Sequence, residues 1–266
     1  MNISDKNINS IHSNENLLIN TSNNTSELNE PFTNGRASSR LLFDFSIMSA
    51  LMKDSLFHLP ILDFGAGSGW ISEFCVRMGY QTIAFDIHGK LKEHLEGRAQ
   101  ADCRINSNLL LFSHGDGHAM PFESNFFGHL LCYDTLHHMH DYPKVFLEFF
   151  RVIKKGGRAI FVEPGARHSS SPETIAYLEC KKQDPSWIER DVILEEIDQI
   201  AKKTGFKSGL RIVPMPHPLA LQIYSIETWS KFRTGDVMER LRFTDQLAYL
   251  NYWDRVIFFL DKPEEE

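Results

Sequence analysis

Basic residues are in short supply in this chain. There are 28 Lys and Arg against 35 Asp and Glu in 266 residues, a formal net charge of -7. A nucleic-acid partner calls for a basic face, so this balance argues against one. Cysteine is scarce too: Cys75, Cys103, Cys132 and Cys180 lie far apart, without the paired spacing of a zinc site or a disulfide framework. They read as reduced thiols of a cytoplasmic protein. No apolar run is long enough to cross a bilayer, and the first residues lack the basic and apolar regions of a signal peptide, so no membrane partner is expected. Large apolar side chains are sparse from Met1 to Asn34, where Asn and Ser dominate. Such a stretch buries too little apolar surface to offset its ordering entropy. Residues 1–34 are therefore expected to be disordered or loosely attached, and 35–266 to form the folded unit.

What is present suffices for one domain with a large core and no metal or disulfide staple, since 42% of the residues are hydrophobic. The chain is organised around Ile61-Leu62-Asp63-Phe64-Gly65-Ala66-Gly67-Ser68-Gly69-Trp70. An apolar pair runs into an acid, and glycines follow at every second position. Glycine permits tight turns and close approach of a ligand to the main chain. A strand, such a turn and a helix N-terminus leave backbone N–H groups aimed at a ligand. The dinucleotide fingerprint needs its third glycine where Trp70 stands, so this spacing fits pyrophosphate poorly.

Strand and helix patterns alternate along the rest of the chain, the mark of an α/β fold. Ser39 to Met52 reads as a helix, as does Ile71 to Met78 with a stop at Gly79. Gln81–Asp86 is a second strand ending in an acid, about twenty residues beyond Gly65, the separation at which a carboxylate meets ribose hydroxyls. A helix over Leu91–Ala101 precedes a strand at Leu109–Phe112, and Phe126–Cys132 is the fourth strand. After a helix over Val145–Lys154, Lys155-Gly156-Gly157-Arg158 turns into a fifth strand. Trp187 to Thr204 is patterned as one helix closed by Gly205. Strands follow at Leu210–Val213 and Arg255–Leu260, and the aromatic-rich stretch 217–253 between them is read as core or as a lid over a substrate.

The glycine loop, Asp86, the segment Gly115-Asp116-Gly117-His118-Ala119-Met120-Pro121-Phe122 and the tract Leu136-His137-His138 occur in that order. Together they resemble the class I S-adenosylmethionine-dependent methyltransferases of the type 11 kind, in particular small-molecule and sugar O-methyltransferases. The resemblance covers the chain from about Arg36 onward. It implies a single Rossmann-like domain: a seven-stranded, mostly parallel sheet with an antiparallel last strand and helices on both faces. It implies S-adenosyl-L-methionine as cofactor, contacted at Asp63, Gly65, Ala66, Gly67, Asp86, Ile87, Asp116, Gly117, His118 and Tyr133, with Asp86 on the ribose and Asp116 on the adenine amine. A helix before the first strand would cap the cofactor, with Arg36 or Arg40 near its carboxylate.

The acceptor is then expected at the carboxyl ends of the fourth and fifth strands, where His137, His138 and Glu163 converge. His137, or failing it His138, would take the acceptor's proton, oriented by Glu163. His168 and the Ser169–Pro172 loop also face this end. A metal held by His137, His138, His140 and Asp141 would need a favourable backbone geometry, and none is expected. The implied activity is methyl transfer to an oxygen or nitrogen of a small molecule, sugar-containing or a specialised metabolite. An NAD-dependent oxidoreductase and a catalytically silent cofactor-binding partner subunit remain as alternatives, and the oligomeric state is open.

Overall fold

The computed structural model describes residues 28–180, 187–214, 225–238, 240–245 and 255–265. Seven strands form one sheet in the order β3-β2-β1-β4-β5-β7-β6. The strands β1 (Ile61–Phe64), β2 (Thr82–Asp86), β3 (Leu110–His114), β4 (Phe127–Tyr133) and β5 (Ile153–Pro164) are all parallel. The last strand, β7 (Arg255–Asp261), lies antiparallel between β5 and the short β6 (Arg211–Ile212). Chain order reverses between β1 and β4, and open α/β sheets hold ligands in the crevice that such a reversal leaves beyond the strands' carboxyl ends.

β1, β2 and β4 are buried along their whole length, as continuous apolar strands of a covered parallel sheet should be. Side chains alternate between the faces. Leu130 and Cys132 point into one core with α4 (Tyr142–Val152) and α6 (Leu194–Thr204). Leu131 and Tyr133 point into another with α1 (Gly35–Leu51) and α2 (Trp70–Arg77). A third cluster seats α3 (Leu91–Ala101) on Ala84 through Leu91 and Leu95. Trp70 takes up core space here: its ring lies 5.4 Å from that of Tyr133 and 5.9 Å from that of Phe45. Gly69 before it is the left-handed N-cap of α2, and a Cβ there would come within 2.4 Å of Leu95.

Three stretches differ from the sequence expectation. Only Leu194–Thr204 of the long helix forms. The residues before it are drawn off by tertiary bonds: the Arg190 N–H donates to the His137 carbonyl (3.0 Å), and the Asp191 carboxylate accepts from the Ser169 N–H (2.7 Å) and hydroxyl (3.0 Å). The loop after β5 contains a helix, α5 (Pro172–Cys180), whose Thr174 N–H is capped by the Ser171 hydroxyl at 3.1 Å. Of the segment expected to be loose, residues 1–27 lie outside those described, but residues near its end are docked. The Ser68 hydroxyl donates to the Glu30 carboxylate (2.5 Å), and Arg98 donates to the Glu30 carbonyl (2.9 Å). Much of the expected lid, including 217–224 and 246–253, lies outside the described residues. Its described part includes a helix, α7 (Ile226–Thr234), with Ile226 and Trp229 exposed.

Candidate active site

The loop after β1 is built by contacts that only glycine permits. Gly65 has φ +70°, and a Cβ there would lie 2.0 Å from the Thr135 side chain. Asp86, at the end of β2, holds this loop: one carboxylate oxygen accepts the Gly67 N–H and the other the His88 N–H, both at 2.9 Å. Beyond β3, Asp116 accepts the His118 N–H at 2.9 Å and lies 2.6 Å from His118 Nδ1. That second bond holds the Asp116 carboxyl below its ordinary range. These loops meet on one cavity of about 320 Å³, lined by Gly65, Gly67, Asp86, Ile87, Asp116, Gly117 and His118.

Three residues assigned to the cofactor stand behind the loop instead. Asp63 is 1% exposed and accepts the Ser72 hydroxyl at 2.6 Å, tying α2 to β1. Burial pushes its carboxyl up to about 7. Ala66 is buried, and its carbonyl closes the turn by accepting the Gly69 N–H at 2.8 Å. Tyr133 points at α1, its hydroxyl donating to Asp44 at 3.0 Å. None of the three lines the cavity. Asp134 does line it, with φ +45°, a backbone form that Asp tolerates better than most residues. Burial disfavours its charge, but Arg255 at 2.8 Å and Arg40 at 3.6 Å outweigh that and hold it below the usual carboxylate range.

The far end of the cavity is formed by the turn after β4 and by the segment before α6. Glu163, on β5 and fully buried, is the post on which the turn hangs. One of its oxygens accepts the Thr135 N–H (3.0 Å) and the Leu136 N–H (2.9 Å), and the other meets His137 Nδ1 (2.8 Å). The second ring nitrogen of His137 lies 3.3 Å from Glu189. Burial opposes a charge on this imidazole, yet the bonds to the two carboxylates prevail and raise it to about 9. His137 is 4% exposed and does not line the cavity. Both of its ring nitrogens are engaged by carboxylates, so neither is turned toward the cavity. Glu163 orients the turn and meets no ligand space.

His138 is placed differently. Its Nδ1 lies 2.9 Å from the Ile188 carbonyl, a group that only accepts. The hydrogen therefore sits on Nδ1 and the lone pair on Nε2. Burial, reinforced by the charge of His137, lowers its pKa, so it is neutral. His138 lines the cavity beside Met139, Trp187 and Ile188. Trp187 and Glu189 were missed in the sequence because a helical pattern was read across them. The alternation Trp187, Glu189, Asp191 at every second position was the available signal of an extended segment.

The switch point after β1 and the acids after β2 and β3 meet on one cavity at the carboxyl ends of the parallel strands. Residues 62–161 match the family described as Methyltransferase domain. Over 103 residues the chain is 29% identical to a malonyl-[acyl-carrier protein] O-methyltransferase of Erwinia pyrifoliae, covering 39% of this chain and 36% of that protein. Over 104 residues it is 33% identical to a demethylmenaquinone methyltransferase of Thermobifida fusca, covering 39% and 42%. The chain thus spans well under half the length of the curated relatives it matches. Among solved structures, a phosphoethanolamine N-methyltransferase 2 of Haemonchus contortus, in complex with phosphomonomethylethanolamine and S-adenosylhomocysteine, shares the fold. Its TM-score is 0.55 at 19% identity, covering 84% of this chain and 52% of that one. Among the described residues, no helix is long and apolar enough to cross a membrane.

Proposed function

We propose that this chain transfers a methyl group from S-adenosyl-L-methionine to an oxygen or nitrogen of a small molecule, sugar-containing or a specialised metabolite. The observation that carries this reading is the charge of the cavity. Asp86 and Asp116 line it, Asp134 beside them is compensated by Arg255 and Arg40 from behind, and among its described lining residues there is no Lys or Arg. Such a lining attracts a sulfonium cation and repels the pyrophosphate of a dinucleotide, which disfavours the oxidoreductase reading. The relatives named above, methyltransferases by name, support the same choice.

Asp86 spends one lone pair of each oxygen on the loop and keeps acceptor capacity for two ribose hydroxyls. Asp116, Gly117 and His118 would hold the adenine edge, with the Phe64 and Phe85 side chains as apolar walls. When bound, the cofactor supplies an electrophilic methyl group. His138 Nε2 accepts the proton of an acceptor hydroxyl, and Trp187 and Met139 form the face against which the acceptor lies. Alignment in one cavity contributes roughly 7–11 kcal/mol and a positioned base a further ~10²–10⁴-fold. Positioning is the larger share.

The test is calorimetry followed by turnover. S-adenosylhomocysteine is expected to bind and NAD not to; tight NAD binding without the former would sink the proposal. Mass spectrometry of metabolite extracts incubated with protein and cofactor then identifies the acceptor by the gain of one CH₂. His138→Ala is expected to lose roughly 10²–10⁴-fold in turnover on a hydroxyl acceptor with cofactor affinity intact. A loss below tenfold would move the base elsewhere.

A further inference from the structure

Beside the cavity, behind His138, lies a cluster of nitrogen and carboxylate donors that methyl transfer does not require. Two imidazoles converge on one carboxylate oxygen: His168 Nε2 is 2.6 Å and His137 Nε2 is 3.3 Å from Glu189 Oε2. The other Glu189 oxygen accepts the Trp187 indole N–H at 2.8 Å, which fixes the carboxylate's rotation. His137, His138 and Glu189 each place a ligand atom within 4.8 Å of the others'.

The back of each imidazole is anchored as well. His137 Nδ1 is held by the buried Glu163 carboxylate at 2.8 Å, and His168 Nδ1 lies 3.3 Å from the hydroxyl of the buried Thr174. Nδ1 held by an outer acceptor and Nε2 aimed inward is the carboxylate–histidine arrangement that orients metal ligands. The fold spans β4, β5, α5 and the segment before α6 to bring these groups together.

We propose that His137 Nε2, His168 Nε2 and the Glu189 carboxylate bind one divalent first-row transition-metal cation. Two imidazoles and one carboxylate suit Zn²⁺ and its neighbours, and three protein ligands leave a position open. On binding, each imidazole offers its Nε2 lone pair and any proton held between Nε2 and Glu189 is released to solvent, while Nδ1 of His137 stays paired with Glu163 and Nδ1 of His168 with the Thr174 hydroxyl. His138, next to Glu189 in the cavity wall, faces the acceptor space. Such a site departs from the expectation of no metal, because His168 and Glu189, remote in sequence, replace His140 and Asp141 as partners.

The full chain, stripped with a chelator and dialysed, is titrated with Co²⁺ and with Zn²⁺. The expected result is about one ion per chain, visible ligand-field absorption for Co²⁺ and a higher thermal midpoint. Glu189→Gln and His168→Ala should weaken Co²⁺ binding at least tenfold and abolish the absorption, whereas the exposed His58→Ala should not. Circular dichroism and S-adenosylhomocysteine binding, measured on each variant, separate loss of fold or of the cofactor site from loss of the metal. If Glu189→Gln does not fold, His168→Ala, whose side chain is 21% exposed, decides alone. No stoichiometric binding to the wild-type chain, or binding that His168→Ala leaves unchanged, would overturn the proposal and reduce the cluster to a hydrogen-bonded brace.

Discussion

The two ends of the cavity are built by different means. At the proposed cofactor end, Asp86 and Asp116 each bond the backbone two residues on, at His88 and His118, and Asp86 also reaches the Gly67 N–H of the loop after β1. At the acceptor end the bonds are long-range: His137 to Glu163, His138 to Ile188, His168 to Glu189, Ser169 to Asp191. A turn such as that of Asp116 depends little on the rest of the molecule, whereas an end closed by distant partners exists only once β4, β5 and the segment before α6 have docked. The two ends should therefore respond separately to mutation, cofactor affinity at one and stability with turnover at the other.

The largest effect is expected at Glu163. Its removal in Glu163→Ala leaves the N–H groups of Thr135 and Leu136 and the ring of His137 buried without their acceptor. A loss of roughly 3–5 kcal/mol in denaturant unfolding should follow. A loss under 1 kcal/mol would mean that the acceptor end is not held as described.

A smaller effect, away from both ends, tests whether acid unfolding starts elsewhere. His129 on β4 is fully buried and accepts the Lys53 N–H at 2.8 Å, so it must be neutral in the fold. Burial, then the charges of Arg158 and Lys53, lower its pKa from 6.5 to about 4. The unfolded chain binds this proton first, so the contribution is complete above pH 6.5 and is lost as pH falls toward 4. Compared with His129→Gln, the wild-type chain should lose about 3 kcal/mol more across that window. Parallel pH profiles for the two proteins would refute the assignment.

Asp86→Ala bears on the local end. Cofactor affinity measured by calorimetry should fall by roughly 1–3 kcal/mol, with turnover at saturating cofactor nearly kept. An equal fall in both would show the two ends to be coupled. Ser169→Ala should do least, about 1 kcal/mol of stability, because Asp191 keeps its bond to the Ser169 N–H. A larger loss would mark this loop as the weak point of the acceptor end.

The same division governs how much could be read before the fold was known. Alternating apolar runs and glycine stops implied the strands and most helices, and Gly65, Gly67, Asp86 and Asp116, which line the cavity, were legible because their residue types and spacing mark the turns at strand ends. Asp63 and Tyr133 were placed a layer too far forward. A strand's alternation says that a side chain faces one side of the sheet, not whether a ligand or a helix waits there. His137 and His138 were indistinguishable as neighbours in sequence, since their difference comes from Glu163, Ile188 and Glu189. Helical periodicity across 187–193 concealed Trp187 and Glu189, and it yielded because Arg190 and Asp191 found better partners in His137 and Ser169. The sequence by itself determined the alternation of strands and helices, the glycine loop and the acids at the strand ends, because periodicity and residue type along the chain mark them. Only the tertiary structure decided which histidine is charged, which faces the cavity and what surrounds Glu189, because proton positions and donor clusters are set by groups that the chain brings together from tens of residues away.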